Sequence, residues 1–196
     1  RGTNFVPDPE LILGSGSYLV GGSGYVGSID SAHGNPWSAT GKSWKVVTAS
    51  CVNGGAQIKA GVGLRVTAVP GSKYTASVYV DFTGVTTFAY NLYLQFYNAG
   101  GTNIGQTIVP IVANPAGGWQ QYTVTAQAPS GAATCLPLVY INGTPAGVQT
   151  CWVAGAQVEL GEGTDYLPGW STVRSDGAVA ADPIQIFGGF MNEAFT

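Results

Sequence analysis

Residues 88–97 read FAYNLYLQFY, and this stretch decides the fold class. In an extended chain Phe88, Tyr90, Leu92, Leu94 and Phe96 fall on one side, while Asn91, Tyr93, Gln95 and Tyr97 fall on the other. A two-residue period of large apolar groups predicts a half-buried strand, because only a strand sends alternate side chains to opposite faces. The same alternation recurs at residues 43–51 (SWKVVTASC), 74–82 (YTASVYVDF), 120–127, 134–141 and 151–160, with a less regular extended run at 57–66. Between these runs lie the turn signals Asn53-Gly54-Gly55, Pro70-Gly71-Ser72, Asn98-Ala99-Gly100-Gly101, Ala116-Gly117-Gly118 and Asn142-Gly143-Thr144-Pro145. Strands at this spacing, with no helical pattern between them, predict an all-β domain built as a two-sheet antiparallel jelly-roll sandwich.

Composition agrees. Of 196 residues, 45% are hydrophobic and only 9% charged, and 30 are glycine without a three-residue period. Collagen is excluded, and the aromatic content argues against a disordered chain. No apolar run is long enough for a membrane-spanning helix, so membrane insertion is not expected. Net charge is −3, and the seven basic residues are scattered, so no nucleic acid is expected as a partner. Cys51, Cys135 and Cys151 lack metal-ligand spacing, His33 is the single histidine, and the cysteines read as small buried hydrophobes. The chain opens with Arg1 and shows no signal-peptide pattern, which suggests a processed product or a piece of something longer.

Two segments depart from the strand rhythm. Residues 14–41 are rich in Gly and Ser and read as a long N-terminal loop. Residues 170–196 read as an extended C-terminal tail, whose Ile184, Ile186, Phe187, Phe190, Met191 and Phe195 are too apolar for a solvated end. The division is therefore residues 1–169 as the jelly roll and 170–196 as tail or linker.

Catalytic chemistry is scarce. Between Asp81 and Glu159 there is no Asp, Glu, Lys, Arg or His, whereas general acid–base work needs a titratable group beside the substrate. A Ser–His–Asp arrangement would have to use His33, three residues after Asp30 in a loop, where an imidazole is ordinarily solvated or hydrogen-bonded. No enzyme is expected. What remains is a polar-aromatic surface. If the strands at 74–82 and 88–97 are neighbours, Tyr79, Asp81, Asn91, Tyr93, Gln95 and Tyr97 share one face. Rings stack on sugar faces while amides and carboxylates pair with hydroxyls, so such a set suits a glycan; a subunit interface, where Tyr is also enriched, is the other reading. The loop residue Trp37 is a further candidate for contact with a ligand or partner.

Six motifs in order resemble the carbohydrate-binding-module jelly rolls (galactose-binding-like sandwiches) of xylanases and cellulases, and especially their relatives in minor tail proteins of phages infecting actinobacteria. They are NFVPDPE at residues 4–10, VPGSKYTAS at 69–77, QFYNAGG at 95–101, GWQQYTV at 118–124 with APSGA at 128–132, AQVELG at 156–161 and TDYLPG at 164–169. The resemblance implies the fold over roughly residues 4–169. It also implies a non-catalytic structural or adhesion protein of a virion exterior, forming homo-oligomers and touching host-surface glycans or other virion proteins. The alternative is a carbohydrate-binding module of a secreted bacterial glycoside hydrolase. Such domains often hold a structural calcium with an Asp in the last strand, where this chain has Ala154; no cofactor is therefore expected, and Asp8 and Glu10 are the remaining candidate oxygen ligands.

Overall fold

The computed structural model describes residues 5–6, 18–21, 25–34, 36, 40–48, 54–58, 65–83, 89–112, 117–142 and 148–163. Within them the chain forms β1 (Tyr18–Gly21), β2 (Tyr25–Asp30), β3 (Ser43–Thr48), β4 (Gly54–Ile58), β5 (Val66–Thr67), β6 (Lys73–Asp81), β7 (Ala89–Tyr97), β8 (Asn103–Ile111), β9 (Gln120–Gln127), β10 (Thr134–Asn142) and β11 (Gln149–Leu160). Two antiparallel sheets result. One runs β1-β4-β10-β7-β8 with β5 also paired to β10, and the other runs β2-β3-β11-β6-β9. No helix occurs among the described residues.

The alternation read from the sequence becomes the core. Tyr90, Leu92, Leu94 and Phe96 of β7 are at most 1% exposed, whereas Asn91, Tyr93 and Gln95 are half-buried, as the period-two reading requires. Opposite them lie Tyr74, Ala76, Val78 and Val80 of β6, with Cys151, Val153, Ala156 and Val158 of β11 beside these. The two sheets touch through rings: Phe82 meets Tyr90 at 4.0 Å between centroids, and Tyr74 meets Phe96 edge-on at 6.3 Å. Each such aromatic buries enough apolar area to contribute about 1.5–3 kcal/mol.

In β11 the inward positions switch from odd (Cys151, Val153) to even (Ala156, Val158). A β-bulge causes the switch. Ala154 pairs with Tyr79 and Gln157 with Ser77, so two residues of β11 oppose one of β6, and Gly155 takes φ 57° to allow it. Gln157 and Glu159 thereby join Trp152 on the side away from the core.

The structure adds to or changes the strand reading at three places. Residues 14–41 are not one long loop, since β1 and β2 lie within them; glycines at 21, 22, 24 and 27 obscure the alternation there. Of the run at 57–66, Gln57 and Ile58 belong to β4 and Val66 to β5, while residues 59–64 lie outside the described residues. Strand β8 was not anticipated, because Gly105 and Pro110 interrupt its pattern. It lies at the edge of its sheet, where a proline without an N–H is tolerated. Residues 164–196, including the apolar tail, and Trp37 lie outside the described residues.

Cys135 and Cys151 are buried free thiols, and burial pushes both pKa values up to about 12. In a Cys51→Ser variant, a thiol reagent at neutral pH is expected to leave the native protein unlabelled and to label both sites once urea unfolds it. Gly155→Ala should destabilise the domain by about 1–2 kcal/mol, the cost of a left-handed alanine, read as a shifted urea midpoint; Gly100→Ala, in an exposed turn, serves as the control.

Candidate functional site

The six-residue polar face anticipated from β6 and β7 does not exist as one surface. The two strands belong to different sheets and turn their apolar sides toward each other, as the Phe82–Tyr90 contact shows. Their polar sides therefore point in opposite directions. Tyr79 and Asp81 lie on the outer face of the β6 sheet, and Asn91, Tyr93, Gln95 and Tyr97 lie on the outer face of the β7 sheet.

On the β6 side the polar groups are largely engaged within the protein. Thr75, Ser77, Asp81, Gln157 and Glu159 are all buried. Asp81 Oδ1 accepts from the backbone N–H of Thr83 at 2.8 Å and its hydroxyl at 2.6 Å, and Oδ2 lies 2.9 Å from His33 Nε2. The His33 ring stacks on Trp152 at 4.0 Å and comes within 5.8 Å of Trp119. Trp152 Nε1 donates to Asp30 Oδ2 at 3.0 Å, while Asp30 Oδ1 accepts from the N–H groups of Ala32 and His33. This cluster clamps the segment after β2 onto the ends of β6 and β11. Sequence reasoning missed it, because its members are up to 122 positions apart and only the Asp30–His33 spacing is local. Ser43 Oγ donates to the His33 carbonyl at 2.7 Å, not to the imidazole, so this His–Asp pair activates no hydroxyl among the described residues.

Beside the clamp an open groove of about 240 Å³ is lined by Thr75, Ser77, Gln121, Thr123, Thr125, Glu162 and Gly163. The Thr75 hydroxyl is already bonded to Thr125 Oγ1 at 2.9 Å and to the Gly161 carbonyl at 2.7 Å. Lys73 and Glu162 pair at 2.6 Å on the exposed rim, where such a contact contributes little.

The β7 face is different. Asn91, Tyr93, Gln95 and Tyr97 are all half-exposed and follow one another along a single strand. In register beside them on β10 stand Tyr140, Leu138 and Leu136, paired with Asn91, Tyr93 and Gln95. Tyr93 meets Tyr140 edge-on at 5.6 Å. The Tyr97 hydroxyl donates to Gln95 Oε1 at 2.6 Å, and Gln95 Nε2 donates to Gln106 Oε1 at 3.1 Å. Arg65, which the sequence did not single out, lays its guanidinium 3.5 Å from the centroid of the Tyr97 ring. Burial pushes the Tyr97 phenol above its usual range against the opposing effect of Arg65. The face thus offers neutral donors, acceptors and ring surfaces held by one another, an arrangement that suits a sugar.

No group of three His, Cys, Asp or Glu suited to a metal occurs among the described residues, and Asp8 and Glu10 lie outside them. Ala154 is 1% exposed and supplies no side-chain oxygen to an ion.

No protein-family model and no curated protein sequence matches the chain. Among solved structures, the tailspike protein 4 enzymatically active domain of bacteriophage CBA120 aligns over 81% of this chain with TM-score 0.61 and 11% identity. The CBM22-1 xylan-binding domain of Paenibacillus barcinonensis Xyn10C aligns over 84% with TM-score 0.54 and 8% identity. The fold is the jelly roll of the carbohydrate-binding modules. A third similar structure, the CBM22-1–GH10 modules of Clostridium thermocellum xylanase 10B with xylohexaose, aligns over 84% with TM-score 0.54 and 15% identity. This jelly roll spans 21% of the tailspike chain and 28% of the xylanase chain, but 95% of the Paenibacillus domain.

The clamp makes the jelly roll acid-sensitive. Burial tends to raise the pKa of Asp81, but the Thr83 hydroxyl, His33 and the Thr83 N–H outweigh it and hold the carboxyl below 3.8. The Trp152 indole N–H does most to lower the pKa of Asp30. A depressed pKa contributes stability above the unfolded-state value that is lost as pH falls through the folded-state value. Urea midpoints are expected to fall as the pH drops below about 4, where the unfolded-state carboxyls begin to take up protons. An Asp81→Asn variant should be less stable at neutral pH and should lose less on acidification.

Proposed function

We propose that this jelly roll is a non-catalytic contact domain of a phage virion exterior, and that its β7 face binds host-surface glycans. The observation that carries the glycan reading is the row Asn91, Tyr93, Gln95 and Tyr97, half-exposed on one strand and backed by Tyr140 and the Gln95–Gln106 pair. The virion setting is supported by the motif resemblance to actinobacterial phage tail proteins and by the similarity in fold to a phage tailspike chain. One ring stacked on a sugar contributes on the order of 1 kcal/mol, so single sites are weak and adhesion relies on several copies in a homo-oligomer.

A second reading, a module of a secreted glycoside hydrolase, is favoured by the near-complete span of the Paenibacillus xylan-binding domain. Neighbouring genes separate the two settings: tail genes for the first, a hydrolase for the second.

Replacing Tyr93 and Tyr97 by Ala tests the face itself. Binding to host cell-wall polysaccharide is expected to weaken on the order of fivefold per ring, with the assembly mass by light scattering unchanged. Dissociation of the assembly would make the face a subunit interface. A folded double variant with binding and mass both unaltered would remove this face from the function.

A further inference from the structure

Arg65 is the most unusual charged group in the described structure. Its Nε is buried without a hydrogen-bond partner, and among the described residues the guanidinium makes no ion pair. A guanidinium carries five N–H donors and no acceptor, so leaving a buried one unmet costs free energy that a resident partner would ordinarily offset. No acidic partner lies on the described strands of its sheet. None of the strands β1, β4, β5, β7, β8 and β10 contains Asp, Glu, Lys, Arg or His.

The guanidinium is nevertheless held in place. Its flat side rests on Tyr97, and Nη1 lies 3.9 Å from where a side chain at Gly101 would begin. Stacking on a ring leaves the N–H groups pointing outward in the plane, the geometry that meets a carboxylate with two parallel hydrogen bonds. Beside it opens a pocket of about 390 Å³, lined by Arg65, Thr67, Asn98, Ala99, Gly100, Gly101, Ala133 and Thr134. The pocket belongs to the same face as the aromatic row: Tyr97 pairs with Thr134 across β7 and β10, and Thr134 pairs with Thr67 across β10 and β5. Asn98 spends its Oδ1 on the Thr102 N–H and keeps its amide nitrogen for other contacts.

We infer that this pocket binds the carboxylate of an acidic sugar, with Arg65 as its counter-ion, Tyr97 as the platform that orients Arg65, and the Thr67 and Thr134 hydroxyls pairing with sugar oxygens. The pocket is in the size range of small-molecule sites and larger than a bare ion requires. Its continuity with the row of rings and amides makes the occupant a saccharide unit. The inference rests on the glycan reading of the β7 face and adds to it a ligand class, uronate-containing glycans over neutral ones.

The experiment uses trigalacturonic acid and its fully methyl-esterified form, which keeps the sugar backbone and removes the charge, titrated into the full chain by calorimetry. The acid is expected to bind on the order of tenfold tighter than the ester at low salt, with the preference shrinking as salt rises. Folded Arg65→Gln should abolish the preference while leaving ester binding in place, and Thr134→Val should weaken it. Acid and ester bound equally by the wild type would overturn the inference, as would a preference that survives in folded Arg65→Gln. Should Arg65→Gln not fold, a preference unmoved by Thr134→Val overturns it equally. Tyr93→Ala separates the two levels. Weakened ester binding with no acid preference sinks the acidic-sugar site alone and leaves the glycan platform standing. An acid preference that ignores Tyr93 keeps the pocket and sinks the platform. Millimolar titration with no binding of either form overturns the acidic-sugar site.

Discussion

Everything in this molecule depends on two successive strands, β6 and β7, facing each other through one apolar core. The chain leaves β6 at Asp81, places Phe82 against Tyr90, and enters the opposite sheet as β7. Tyr74 against Phe96 closes the same pair of strands at the other end. With both apolar sides committed to that core, each strand has only its polar side left for solvent or ligand, and the two polar sides look away from each other. The sandwich therefore has two chemically distinct outer faces.

The faces diverge because their polar residues differ in burial. On the β6 side a bulge at Gly155 turns Gln157 and Glu159 outward beside Thr75 and Ser77, and all four are buried. Asp81 holds His33, and Trp152 donates to Asp30, so the segment after β2 is anchored to this face. Buried polar groups that are mutually satisfied rigidify a structure and leave little for an external ligand. On the β7 side the strands carry no Asp, Glu, Lys, Arg or His, and the amides and phenols of β7 stay half-exposed and bond along the surface. Arg65 sits at the end of that surface, stacked on Tyr97 and, among the described residues, without an ion pair.

Similarity of fold to a phage tailspike chain and to a xylan-binding domain, at 11% and 8% identity, reflects this core arrangement more than any shared side chain. A jelly roll is a scaffold on which contact chemistry is set by whichever outward residues stay exposed. On the β7 side the half-exposed groups are rings and amides, with one guanidinium at their end.

How much of this was legible in the sequence differs by level. Strand identity and inward-facing residues were readable from period two alone, because a buried side chain must alternate with its neighbours whatever the sheet order. Residues 88–97 are the clearest case. The turn signals were readable too, as at Gly71 and Gly101, which take positive φ. The edge strands β1 and β2 were not, since they are only four and six residues long and glycines at 21, 22, 24 and 27 break the pattern in and between them. The phase switch in β11 announced itself only weakly, as Ala154-Gly155-Ala156. Sheet membership was decided by tertiary structure alone: whether Tyr79 and Tyr93 share a face depends on which sheet each strand joins, and no local pattern encodes that. The same holds for His33 with Asp81 and for Arg65 with Tyr97, whose partners lie 48 and 32 positions away. Periodicity reports which side of a strand is buried, while the partners on the other side are chosen by packing at long range.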